Sequence, residues 1–118
     1  MRQSGSPMNH SFGPRRPSFD LASALARDWH GGSAFRTAWF NALSMMLPHG
    51  ERFFIDSVNE FRDKIEDPQL KSEVQAFLMQ EANHMHQHQA VNKLLCEVRG
   101  YDMQAIEGPI LKRAEWTQ

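Results

Sequence analysis

Residues 67–100 read DPQLKSEVQAFLMQEANHMHQHQAVNKLLCEVRG, and how this stretch folds decides the architecture. Asp67 is an N-cap residue, Pro68 suits a first helical turn, and Gly100 offers the left-handed conformation that ends a helix. Gln, Ala, Met, Leu and Glu abound between these signals, so the pattern predicts one uninterrupted helix from Pro68 to Arg99. At about 1.5 Å per residue it is about 48 Å long, more than a compact small domain usually needs. A substantial partner must therefore pack along it. Leu70, Val74, Phe77, Glu81, His84, His88, Asn92 and Leu95 fall within an arc of about 80° on this helix. Apolar residues hold the ends of that stripe and ionisable or polar ones its centre.

Upstream, Leu47, Glu51, Phe54, Val58, Phe61 and Ile65 step alternately by four and three residues, which predicts a second helix from about Pro48 to Ile65. Before it, Ser33 stands at an N-cap position, and Phe35, Trp39, Ala42, Leu43 and Met46 recur at helical spacing as the expected core face. Pro48 then marks either the end of that helix or a kink into the next. Asp20 to Trp29 suits a short helix broken by Gly31 and Gly32. After Gly100 the pattern weakens: Gly108 and Pro109 interrupt it, and a weak fourth helix begins near Ile110. The expected fold is all-α, with three main helices of which one is long. Residues 1–17, rich in Ser, Gly, Pro and Arg, are expected to be a disordered tail, and residues 18–118 a helical metal-binding domain.

The chain has 118 residues, which allows one domain at most. With 41% hydrophobic and 23% charged residues and a formal net charge of -1, there is no electrostatic case for nucleic acid or an anionic membrane as partner. No apolar run approaches the roughly 18 residues of a membrane span, and the start of the chain lacks a signal-type apolar stretch. The single cysteine, Cys96, cannot form an intrachain disulfide and lies among Leu94, Leu95 and Val98, so it reads as a core thiol. A cytoplasmic location is expected.

The ionisable residues in the two stripes carry the chemistry. A buried carboxylate or imidazole without a partner costs several kcal/mol, so each demands a compensating charge or hydrogen bond. A metal ion supplies one. In dimetal carboxylate bundles a glutamate comes from one helix and Glu-x-x-His from another, and here Glu51 with Glu81-Ala82-Asn83-His84 has that form. His88, one turn beyond His84, is a candidate additional nitrogen ligand, and Asn92 suits a hydrogen bond behind the ligands. Oxygen and nitrogen donors without thiolate favour iron, manganese or zinc. Competing readings stand beside this one. Glu51, in the first turn of its expected helix, would be favoured there by the macrodipole without any metal, and Glu81, His84 and His88 could form an exposed polar patch. His86 points away from the stripe. Gln80 replaces the first histidine of a His-Glu-x-x-His zinc-protease motif, and a strand placing His84, His86 and His88 on one face conflicts with the helical flanks. Met45, Met46, Trp39 and Phe40 read as core, or as an apolar wall beside Glu51.

Taken together, Arg16-Pro17-Ser18-Phe19-Asp20, Trp29, Phe40-Asn41-Ala42-Leu43-Ser44, Pro48-His49-Gly50-Glu51-Arg52-Phe53-Phe54 and Gln80-Glu81-Ala82-Asn83-His84, followed by His88 and Asn92, resemble the N-terminal half of the predicted metal-dependent hydrolase family. The resemblance implies an architecture similar to ferritin-like dimetal proteins, here a partial ferritin-like bundle, and a metal enzyme with Glu51, Glu81, His84 and His88 as ligands. It also implies a longer family pattern with a second helical half, so the domain is expected to be incomplete, or to be completed by a second copy in a homodimer. The activity expected is hydrolysis of a small-molecule substrate by metal-activated water. A di-iron, oxygen-activating oxidase or oxygenase is the alternative. The third reading is a half-domain that is inactive or works only when paired.

Overall fold

Ser33 and Asp67 start the two long helices of the computed structural model, which describes residues 13–15 and 18–115. The Ser33 side chain accepts a hydrogen bond from the Arg36 amide at 3.3 Å, and Asp67 Oδ1 accepts one from the Leu70 amide at 2.8 Å. The described residues form four helices: α1, Ala22–Leu25; α2, Ala34–Arg62; α3, Pro68–Arg99; and α4, Met103–Glu115. There is no strand among the described residues, so the all-α expectation is borne out. Gly100 ends α3 at φ 69° and ψ 28°, with its N–H donating to the Cys96 carbonyl, as the sequence predicts. No helix among the described residues is long and apolar enough to cross a membrane.

Pro48 does not end a helix. The two helices expected on either side of it are one, a 29-residue α2 with the proline inside. An interior proline deletes the hydrogen bond to the carbonyl four residues back, here that of Ser44, at a usual cost of about 3 kcal/mol. That carbonyl finds another donor: Asn92 Nδ2 of α3 lies 3.1 Å from it. The freed backbone group is satisfied between helices instead of within one.

Continuity through Pro48 also corrects the expected core face. Thr37, Asn41, Ser44, Met45, Pro48 and Glu51 are the buried residues of α2, whereas Phe35 is 77% and Trp39 63% exposed. The buried line is mainly polar, so hydrophobicity alone selects the wrong side. Two of its polar members are satisfied outside α2: Thr37 Oγ1 accepts from the His30 amide, and Asn41 accepts from Trp29 Nε1 at 3.0 Å while donating to the Tyr101 hydroxyl at 3.3 Å.

Helices α2 and α3 pack as an antiparallel hairpin, since Ser44 meets Asn92 while Glu51, further along α2, meets His84, earlier on α3. Leu25, Met45 and Leu95 form the apolar core at the Asn92 end of this pair. Helix α1 packs on α3, where Arg99 donates from Nε to the Leu25 carbonyl at 2.6 Å and bonds the Arg27 carbonyl and the Asp28 carboxylate. Helix α4 packs on α2 and begins earlier than expected, because Asp102 Oδ1 accepts from the Ala105 amide; Gly108 and Pro109 lie inside it. Residues 13–15 are irregular, and Arg15 bonds Gln80 and Asn83 of α3. The rest of the expected tail, residues 1–12 and 16–17, lies outside the described residues.

Backbone conformation at two glycines gives opposite expectations. Gly100→Ala places a Cβ in open space but at positive φ, and should destabilise by about 1 kcal/mol. Gly50→Ala, within α2 and equally unobstructed, should stabilise by about 0.5–1 kcal/mol. Equilibrium urea unfolding of both variants checks the signs, and the same sign for both would refute the assignment.

Candidate metal centre

Because α2 runs unbroken, Glu51 lies mid-helix, far from any helix N-terminus, and the macrodipole reading of this residue falls away. Its side chain is turned into the α2–α3 interface and is only 2% exposed. Both carboxylate oxygens are buried without a hydrogen-bond partner. Burial raises the Glu51 pKa, the His84 ring opposes that rise, and the Glu81 charge adds to it.

Two rings from α3 face this carboxylate. His84 Nδ1 is 2.8 Å from Glu51 Oε1, at ion-pair distance but without the alignment of a hydrogen bond. His88 Nε2 is 3.9 Å from the same oxygen and 3.1 Å from His84 Nε2. One ligand atom from each of Glu51, His84 and His88 can be chosen so that all lie within 4.8 Å of one another. Two atoms bound to one zinc-sized ion at about 2.1 Å, at angles between octahedral and tetrahedral, stand roughly 3.0–3.5 Å apart. His84 meets Glu51 through Nδ1 and His88 through Nε2, so no single His84 nitrogen makes both contacts, and gathering one atom from each residue around one ion needs small side-chain adjustments. A carboxylate oxygen and ring nitrogens at such distances repel unless a proton or a cation lies between them, so the donor set fits a metal ion on its own chemistry.

Of the four sequence-predicted ligands, the structure gathers Glu51, His84 and His88. Glu81 is half-buried and stands outside this group, near enough for its charge to act on Glu51. Angle around α3 does not account for the difference, since Glu81 lies about 20° and His84 about 40° from His88 around the helix. His86 is exposed, as expected from its angle. His30 stacks on Phe40 with ring centres 4.6 Å apart, and His49 Nε2 lies 3.3 Å from Glu107 of α4, so neither joins the cluster.

Behind the cluster sits Asn92, buried as the sequence suggested, and with it Ser44, which sequence reasoning missed. Ser44 Oγ is 2.8 Å from His88 Nδ1 and 3.0 Å from Asn92 Oδ1. Once α2 is known to run through Pro48, the sequence offers a signal: Ser44 is four residues before the proline, so its carbonyl lacks its usual helical donor. Burial and the nearby His84 ring lower the His88 pKa, which favours the neutral, ligand-competent imidazole. A largely apolar cavity of about 340 Å³, lined by Trp29, Phe40, Leu43, Leu47 and Val91 among others, reaches Ser44 and His88. A second of about 290 Å³ reaches both His84 and His88.

A helical hairpin that buries one carboxylate against two imidazoles brings together oxygen and nitrogen donors that could hold a divalent cation. The chain belongs to the predicted metal-dependent hydrolase family, whose model matches residues 13–118. Neither the comparison with curated proteins nor that with solved structures gives a match.

The buried carboxylate makes stability depend on pH in a defined direction. Because the folded pKa of Glu51 is raised, its protonated form stabilises the metal-free protein in acid, and that contribution is lost as pH rises through the folded pKa. His88, with a lowered pKa, acts in the opposite sense: its contribution is present above its unfolded pKa and is lost as pH falls through the folded one. Glu51→Gln leaves the His88 contribution in place and removes the carboxylate. The metal-free variant should gain about 1–3 kcal/mol over wild type in the alkaline range, with the gap closing in acid. Denaturation across pH measures this, and a gap independent of pH would contradict it.

Proposed function

We propose that the chain binds a divalent cation through Glu51, His84 and His88 and serves hydrolysis of a small-molecule substrate. The observation that carries this reading is the Glu51 carboxylate, buried with both oxygens unpartnered while two imidazoles face it. When bound, a cation in such a set supplies Lewis acidity, which lowers the pKa of a coordinated water and polarises a carbonyl or phosphoryl oxygen. Two histidines and one glutamate are a donor set used by catalytic zinc, and zinc, iron and manganese all suit it.

The roles of the residues follow from their exposure. Glu51, at the floor, provides the fixed negative charge. The His84 side chain is 51% exposed and that of His88 20%, so the approach for water and substrate lies on the His84 side, beside the cavity shared by the two rings. Glu81 is assigned as a further carboxylate ligand, reached by turning its side chain, which would restore the Glu and Glu-x-x-His half of a dimetal bundle site. A second reading is favoured by the same donor set, because two histidines and one carboxylate with open positions also suit an oxygen-activating iron centre.

Metal analysis and turnover separate these readings. Zinc or manganese should bind the metal-free protein, and Glu51→Ala or His88→Ala should weaken binding by more than the roughly 10–100-fold typical of losing a supporting partner. Assayed against esters, amides and phosphoesters, the zinc- or manganese-loaded protein should turn over at least one class. Inertness toward all three, together with oxygen uptake by the Fe(II)-loaded protein, would move the assignment to the oxidase.

A further inference from the structure

We infer that Pro48, Asn92 and Ser44 form a positioning relay that holds the His88 ring in its Nδ1–H tautomer, so that the Nε2 lone pair is the one presented to Glu51 and His84.

Pro48 has no N–H, so the Ser44 carbonyl four residues back has no donor within α2. Asn92 Nδ2 lies 3.1 Å from that carbonyl oxygen. A carbonyl can only accept, so the amide end facing it is the NH2 group, and the orientation of the Asn92 side chain is fixed. Its other end, Oδ1, therefore faces Ser44 Oγ at 3.0 Å. An amide oxygen also only accepts, and serine has a single hydroxyl hydrogen, so that hydrogen is committed to Asn92.

Ser44 Oγ is left with acceptor capacity alone, 2.8 Å from His88 Nδ1. The ring must donate there. A neutral imidazole carries one N–H, so Nε2 is bare, and Nε2 is the atom 3.1 Å from His84 Nε2 and 3.9 Å from Glu51 Oε1. Ser44 and Asn92 are buried, at 9% and 4% exposure, so water does not offer a competing partner of equal standing. An unconstrained imidazole favours the opposite, Nε2–H, tautomer, which would point a hydrogen at the place where a ligand lone pair is needed. The tautomer is a property of the metal-free protein; only its consequence for metal affinity rests on the metal-site reading above.

Long-range proton–nitrogen correlation spectra of uniformly 15N-labelled, metal-free protein, in the alkaline range where the ring is neutral, report the tautomer directly. Wild-type His88 should show the Nδ1–H pattern. Ser44→Ala should shift it toward Nε2–H and weaken zinc binding roughly 10–100-fold, while Ser44→Thr, which keeps the hydroxyl, should retain the wild-type pattern. Wild-type His88 in the Nε2–H form would overturn the relay, with no variant needed. So would an Nδ1–H pattern that survives Ser44→Ala. If wild type shows Nδ1–H and Ser44→Ala abolishes it, but neither binds zinc, the relay stands and the metal-site reading fails.

Discussion

The Glu51 carboxylate, buried and unpartnered, is the constraint on which the rest of the structure depends. An ionised carboxylate removed from water costs several kcal/mol unless a charge or hydrogen bonds compensate it, and no hydrogen bond reaches either oxygen. What surrounds it instead is a pair of imidazoles, those of His84 and His88. In the metal-free protein the carboxylate is a local liability, expressed as a raised pKa. That liability is the observation on which the metal-site proposal rests.

The proline three residues earlier is coupled to the same site. A proline inside a long helix is normally a defect, and here the defect exposes one carbonyl that α3 then binds through Asn92. One hydrogen bond thus does two things: it satisfies the Ser44 carbonyl that Pro48 frees in α2, and it fixes the amide whose other end holds Ser44. Thr37, Asn41, Ser44 and Glu51 point inward because each has a specific role there, while Phe35 and Trp39 lie on the outer side.

Much of α3 was legible in the sequence. Asp67, Pro68 and Gly100 are strong local signals, and the stripe carrying Glu81, His84, His88 and Asn92 could be read from spacing alone. The continuity of α2 was not legible, because proline propensity argues against it and the donor that rescues it comes from a residue 44 positions away. The core face of α2 was misread for a related reason: periodicity analysis follows apolar residues, and this face is held by side-chain hydrogen bonds. At the site, spacing identified the helices but could not rank Glu81 against His88, since that depends on how α2 is rotated about its own axis. Ser44 needed the tertiary partner to be seen before its carbonyl and hydroxyl acquired meaning.

The most direct measurement is anomalous X-ray scattering at the zinc edge from crystals of the zinc-loaded protein. The account predicts a peak within about 2.0–2.2 Å of a Glu51 carboxylate oxygen and of one nitrogen each from His84 and His88. For His88 that nitrogen should be Nε2. A peak elsewhere, for example between His49 and Glu107, with none at the buried carboxylate, would contradict it.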